Sequence, residues 1–238
     1  MLSVKAVPVF AIAILFSGCV SQQRSQPVQS LSIQSIAQEL ITMKNSDQML
    51  ERLVVNHDPQ INEPHFYERK DQAQAQNAQR CMEIFNQIGY PTHSLVGPDA
   101  SQAFWLLVQH ADTDPVFQEQ VANAMKPAVI QGDAPALSLA MLTDRVRVNT
   151  DRPQIYGSQV LYDMQHARAY PKTTENPEQV DQRRAEVGLA PLWKYMNDMS
   201  ELNYMVNQEQ HNKDGVYSPW IYPEGFTDWS STSSIADQ

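Results

Sequence analysis

His110 stands beside Asp112 and Asp114 in the string Gln109-His110-Ala111-Asp112-Thr113-Asp114. Histidine titrates near neutrality, and a neighbouring carboxylate can orient its ring. Such a group can act as a general base or ligate a metal. The string lacks the two-histidine helical spacing of zinc enzymes, so no metal site is expected. Asp114 precedes Pro115 and is accounted for as a helix cap. His110 and Asp112 remain as candidate catalytic residues. The plain alternative for His110 is a core histidine bonded to one backbone carbonyl.

Leu142-Thr143-Asp144-Arg145 is the second string. At helical spacing Asp144 falls in a stripe with Leu137, Met141 and Val148, where an apolar residue is expected. A buried carboxylate is costly unless it is paired. A partner is therefore expected among His110, Arg145, Arg183 and Arg184. These groups would make a hydrolase if His110 were the base, Asp112 or Asp144 oriented it, and Arg145 or Arg183 met the developing negative charge. A structural ion pair at Asp144 is the competing reading. No Gly-x-Ser-x-Gly nucleophile turn is present, and no glycine loop that would cradle phosphate.

Two further strings carry ligand-binding candidates. Gln154-Ile155-Tyr156-Gly157-Ser158-Gln159 gathers amides and a phenol around a permissive glycine, so Gln154, Tyr156 and Gln159 can orient a ligand in a pocket. A plain turn before a strand explains Gly157 equally well. Asp181-Gln182-Arg183-Arg184 puts two guanidiniums in one helical turn, where Arg183 and Arg184 can bind an anion bidentately. The alternative is one internal pair and one solvated arginine. No cofactor is indicated.

Helices must position most of these groups. Ile33, Ile36, Leu40 and Ile41 recur at helical spacing, and Met49, Leu50, Leu53 and Val54 resume it after a break and re-cap expected at Asn45-Ser46-Asp47. Residues 57–64 read as a loop, and a long polar helix is expected over 66–88, ended by Gly89 and Pro91. Residues 100–111 are apolar on every side, as in a helix at the middle of a core, and His110 shares a face there with Ala103, Leu106 and Leu107. A helix from Pro115 to about Ile130 and another from Gly132-Asp133 to about Val148 follow. The alternation over 154–160 reads as a strand, with 167–170 as its partner. Helices are expected again over 177–187 and 192–207. The expected fold is mainly α: a single multi-helix domain over 31–210, with a small β-hairpin or ordered loop near 154–170. An aromatic-rich tail covers 211–238 and is expected to be disordered over 230–238.

The first residues read as a secretory signal over 1–18: Lys5, an apolar run over 6–16 interrupted only by Pro8, then Ser17 and Gly18 before Cys19. The run is far short of the ~20 residues that cross a bilayer. Leu15-Phe16-Ser17-Gly18-Cys19 resembles the bacterial lipobox, although Phe16 stands where the motif prefers Leu. The resemblance implies a lipid on Cys19 and a membrane partner through that anchor. Val20 in place of Asp after the cysteine resembles the outer-membrane sorting pattern. The expectation is a periplasm-facing outer-membrane lipoprotein on a Ser/Gln-rich tether over 19–30. Ordinary cleavage to a soluble periplasmic protein is the alternative. The net charge of −10 repels phosphate backbones, so no nucleic-acid partner is expected. With Cys19 lipidated, Cys81 would have no partner in the chain, and burial is its default. Hydrophobic content of 42% suffices for one real core.

The strings QHAD, LTDR, Q-x-YG-S-Q and D-x-RR-x-x-x-GL, in that order, together with Gly89-Tyr90-Pro91-Thr92, resemble an uncharacterised bacterial domain family found in secreted proteins and lipoproteins. The resemblance covers roughly 31–195, with Ser158 where the family usually has Thr. It implies a mainly helical domain with a polar cluster, and no activity. The expected role is binding or scaffolding in the envelope. The long polar helix and the aromatic tail would meet a protein, peptide or glycan partner, although packing of the tail on the domain competes with this.

Overall fold

The computed structural model describes residues 32–229. The signal, Cys19, the tether and the 230–238 end of the tail lie outside the described residues. Helix α1 (Ile33–Val55) is opened by Ser32, whose Oγ accepts the Ser35 N–H at 3.1 Å. The break expected at Asn45-Ser46-Asp47 does not occur. Asp47 turns its carboxylate inward and is only 3% exposed, so it caps nothing and the helix runs on. Helix α2 (Phe66–Ile88) keeps the expected bounds. Arg80 grips Glu39 of α1 through Nε and Nη2, at 2.6 and 3.0 Å. Short α3 (His93–Val96) is held by Asp133, which accepts the Ser94 N–H at 2.7 Å and the Ser94 hydroxyl at 2.6 Å.

Helix α4 (Pro98–Gln109) is the centre of the larger core, as its all-round apolarity requires. Phe104 and Val108 are fully buried, and Trp105 donates its indole N–H to the Ser138 carbonyl at 2.8 Å. Helix α5 (Pro115–Ile130) starts as expected, with Asp114 accepting the Phe117 N–H at 2.9 Å. Helix α6 (Ala136–Asn149) begins a few residues later than expected and packs mainly on α5. Its buried residues are Ser138, Ala140, Leu142, Asp144 and Val146, while Leu137 is exposed. The stripe expected around Asp144 is thus not the buried one. Leu142 and Val146 join the core from α6, and Asp144 faces a loop. Burying a Leu, Ile, Phe or Met side chain contributes roughly 1.5–3 kcal/mol. Ile36, Leu40, Ile84, Phe104, Phe117, Met125 and Leu142 each supply such a contribution here.

The hairpin falls later than the alternation suggests. Strand β1 (Val160–Asp163) pairs antiparallel with β2 (Arg168–Pro171), Val160 opposite Pro171 and Asp163 opposite Arg168. Residues 154–159 form a loop ahead of it. Helices α7 (Val180–Glu186), α8 (Leu192–Val206) and α9 (Gln208–Lys213) follow. A second, smaller core joins Ala169, Val180, Leu192 and Met196 to Tyr222 and Trp229 of the tail. The tail is pinned at Tyr222. Its N–H and carbonyl meet the Asn197 side-chain amide at 2.7 and 3.0 Å, and its hydroxyl donates to the Ala169 carbonyl at 3.0 Å. The fold is mainly α with one small antiparallel hairpin. Among the described residues no helix is long and apolar enough to cross a membrane.

Candidate functional site

Asp144 is fully buried. Its carboxylate accepts the backbone N–H groups of Ile155 (2.7 Å), Tyr156 (3.0 and 3.2 Å) and Ser158 (2.9 Å). This departs from the expected guanidinium or imidazole partner. Gly157, at φ +69°, reverses the loop so that successive N–H dipoles converge on one point. Converging main-chain dipoles form an anion cradle, and here the anion is internal.

The arginines act on the other side of the same loop. Arg184, 1% exposed, donates from Nη1 to the Tyr156 carbonyl and from Nε to the Ala190 carbonyl, both at 2.6 Å. Its guanidinium lies 5.0 Å from the Tyr195 ring centre. Burial pushes its pKa below the usual arginine value, and the nearby Tyr195, Asp181 and Asp144 partly oppose the fall. Arg183 donates from Nε to the Ile155 carbonyl at 2.9 Å and from its terminal nitrogens to the carbonyls of Glu175 and Asn176. Residues 155 and 156 therefore give their N–H groups to an anion and their carbonyls to cations. Such chains of hydrogen bonds polarise one another in a low-dielectric interior.

Gln154 is also fully buried. Its Oε1 accepts the Gln159 N–H at 2.8 Å, and its Nε2 donates to the carbonyls of Gln159 and Lys172 at 2.9 and 2.8 Å. Asp181 accepts the Leu192 N–H at 2.6 Å, and Tyr195 donates its hydroxyl to the Ser158 carbonyl at 3.0 Å. Gln154, Arg183 and Arg184 thus engage main chain instead of facing an open pocket. Tyr156 differs: its half-buried phenol has no hydrogen-bond partner among the described residues, and burial raises its pKa.

Gly157 makes this arrangement sensitive to a single methyl group. A Cβ there would sit 2.9 Å from Leu192 Cδ1 and 3.1 Å from Cδ2, on a backbone that L side chains rarely adopt. Left-handed strain of about 1 kcal/mol adds to crowding of about 1–3 kcal/mol. Gly157→Ala should lower thermal stability by roughly 4–8 °C in a circular-dichroism melt. An unchanged melt would mean that the loop is free to move away from α8.

Asp112 and Arg145 form a second, half-exposed cluster. Arg145 donates Nε to Oδ1 at 2.8 Å and Nη2 to Oδ2 at 2.7 Å, the fork geometry of a strong charge-assisted pair. Asn149 Nδ2 donates to Asp112 Oδ1 at 2.8 Å and to Gln118 Oε1 at 3.1 Å. Buried Gln118 ties the group to α4 by donating to the Val108 carbonyl at 3.0 Å. Arg145 Nη1 also reaches Gln159 Oε1, at 3.3 Å.

Burial alone would raise the Asp112 pKa. The hydrogen bonds and charge of Arg145, with Asn149 and Gln118, outweigh it and hold the carboxyl below its usual range. A carboxyl with a depressed folded-state pKa contributes stability that is present above the unfolded value of about 4 and is lost as pH falls through the folded one. The melting difference between parent and Arg145→Met should therefore be full near neutrality and narrow below about pH 4. A difference independent of pH would show that Arg145 acts through packing alone.

His110 stands apart from both clusters. It ends α4, and its Nδ1 lies 2.8 Å from Oδ2 of buried Asp47, although the N–H does not point along a hydrogen bond. The structure thus joins Asp112 to Arg145 and Gln159, and Asp144 to the 155–158 loop that Arg183 and Arg184 hold. It does not bring His110 to Asp112 or Asp144. Asp47 carries no local signal of its role, because with Asn45 and Ser46 it has the composition of a helix stop. Gln118 and Asn149 carry no local signal beyond their helical positions. Among the described residues no group of three His, Cys, Asp or Glu side chains is placed to hold a metal.

No curated protein and no solved structure matches the chain. Residues 34–207 match a protein family described as a family of unknown function. That span contains all four polar strings.

Proposed function

The chain belongs to the family of unknown function DUF6624, and from the geometry of its polar strings we propose that it is an envelope lipoprotein whose domain binds or scaffolds a partner in the periplasm. The observation that carries this reading is the enclosure of Asp144: fully buried, with both oxygens taken by loop N–H groups. Asp144, Arg183 and Arg184 converge to fasten the 155–158 loop, which is the work of a rigid presenting domain. The hydrolase alternative needs His110, a carboxylate and an arginine in one open pocket. Instead His110 faces Asp47, Asp112 is forked to Arg145, and Asp144 is enclosed.

Exposed features lie elsewhere. Tyr217 and Trp220 of the tail are 75% and 45% exposed, and the Arg168 guanidinium lies 5.3 Å from the Trp220 ring centre. An aromatic ring braced from behind offers its free face to a protein, peptide or glycan partner. The lipobox at Cys19 supports an anchor facing the periplasm from the outer membrane, with a soluble periplasmic protein as the alternative. Cys19→Ser should then move the protein from the membrane fraction to the soluble periplasm and abolish labelling by palmitate.

The role itself is tested by complementation of a deletion strain, with melts recorded in parallel. His110→Ala and Asp112→Asn should complement whenever they fold. The Tyr217→Ala/Trp220→Ala pair should melt like the parent and fail to complement. The reverse pattern would favour the hydrolase.

A further inference from the structure

Several element ends meet at one pole of the domain. Asp47, the last buried residue of α1, faces His110 at the close of α4. The earlier buried residues Ile36 and Leu40 therefore lie back along α4, toward its start. Short α3, which leads into α4 at Pro98, touches both α1 and α4. The close of α5 returns to the same place. Asp133, just beyond it, holds Ser94 of α3 through its carboxylate and accepts the His93 N–H at its carbonyl, at 3.0 Å. One pole thus carries α3, the start of α1 and the turn between α5 and α6.

Three apolar side chains stand out from this pole into solvent. Ile130, at the close of α5, is 86% exposed, the highest value of any large apolar residue described. Leu137 lies in the first turn of α6, Leu95 follows Ser94 in α3, and both are exposed. The segments around them, 89–99 and 127–138, hold two formally charged residues, Asp99 and Asp133, and no lysine or arginine. Exposed apolar groups gathered on a weakly charged surface mark a contact with protein or membrane. The start of the chain decides between the two. Thirteen residues separate Cys19 from Ser32, and a flexible coil of that length spans ~20 Å on average. The surface nearest a lipid on Cys19 is therefore the pole from which α1 starts.

We propose that this pole lies against the lipid bilayer, with Ile130, Leu95 and Leu137 entering the boundary between headgroups and acyl chains. The contact rests on the lipid anchor proposed at Cys19. With the anchor holding the surface close, the three side chains need not bind a membrane on their own. They add affinity in proportion to the apolar area they bury. Without lysine or arginine at the pole the attraction is not electrostatic, so it needs no anionic lipid and salt does not release it.

The test places a fluorophore at the pole. The full chain, expressed with its signal and purified in mild detergent, is added to preformed phosphatidylcholine vesicles. Ile130→Cys carries an environment-sensitive dye. Cys81 is fully buried, with its thiol pKa pushed up to about 12, so it stays unlabelled. Emission from position 130 should shift to the blue on the vesicles, fall when the acyl chains carry bromine, and resist aqueous iodide. Val116→Cys is the matched control, because Val116 is 66% exposed and lies at the other end of α5, about 21 Å away. Its label should respond to iodide and not to bromine. Iodide quenching of both labels on palmitate-labelled, vesicle-bound protein overturns the contact and leaves the anchor standing. Shielding at position 130 without bromine quenching puts protein on the patch, such as a second copy of the chain, and overturns the contact too. A chain that takes up no palmitate and does not float with vesicles overturns anchor and contact together, since nothing else brings this pole to a bilayer.

Discussion

Asp144→Ala should destabilise the domain by about 3–5 kcal/mol, the range for stripping one partner from a buried charged network. The carboxylate serves the N–H groups of Ile155, Tyr156 and Ser158, and among the described residues no other acceptor takes them. Each buried donor left unpaired costs about 1–3 kcal/mol. For a domain of this size the melting temperature should fall by roughly 10 °C. Asp144→Asn retains one acceptor oxygen but turns an NH2 group toward the same donors, so it should lose about half as much or more. Circular-dichroism melts of both variants, beside the parent, make the measurement. If both melted like the parent yet failed to complement a deletion strain, Asp144 would be a working group and the presenting-domain reading would fail.

The elements were legible where their signals are local. Helix α2 lies where its Ala/Gln composition and the Gly89-Tyr90-Pro91 stop place it. Asp114 caps α5 because a side chain reaching three residues forward needs nothing from the rest of the chain. The buried α4 followed from its unbroken apolar run. The misses are tertiary. Asn45-Ser46-Asp47 has the composition of a helix stop, but Asp47 is turned inward, beside the distant His110, and the helix continues. The alternation over 154–160 is real, yet Asp144 collects three of its N–H groups and leaves only Val160 to begin the ladder.

The candidate site divides in the same way. Residue type marked Asp144, Arg145, Arg183 and Arg184 as unusual, since buried or clustered charges demand partners. Partner identity was not legible, because main-chain donors and acceptors are present at every position and leave no mark in the sequence. A buried carboxylate can be satisfied by a turn as well as by an arginine. Only the reversal at Gly157 hints at which, and Gly157 is equally consistent with an ordinary turn.

Arg184 provides the second large effect, and it separates packing from charge. Arg184→Ala removes a fully buried side chain and leaves the Tyr156 and Ala190 carbonyls without their donor. Cavity and orphaned acceptors together should cost about 3–5 kcal/mol. Arg184→Met fills much of the same volume and no longer buries a cation, and replacing a buried ion with an apolar group of similar size is often close to neutral. Its cost should be about 2 kcal/mol: the two carbonyls lose their donor at roughly 1–3 kcal/mol each, and no longer burying a cation offsets part of this. Arg184 and Asp144 hold opposite ends of the Tyr156 residue, one at the carbonyl and the other at the N–H. Once either is gone the loop can relax, and the other has less to hold. The Asp144→Asn/Arg184→Met double variant should therefore lose at least ~1 kcal/mol less than the sum of the two single losses in denaturant unfolding. Strict additivity would mean that the carboxylate and the guanidinium hold the loop independently, and the polarised-loop account of the site would not survive it.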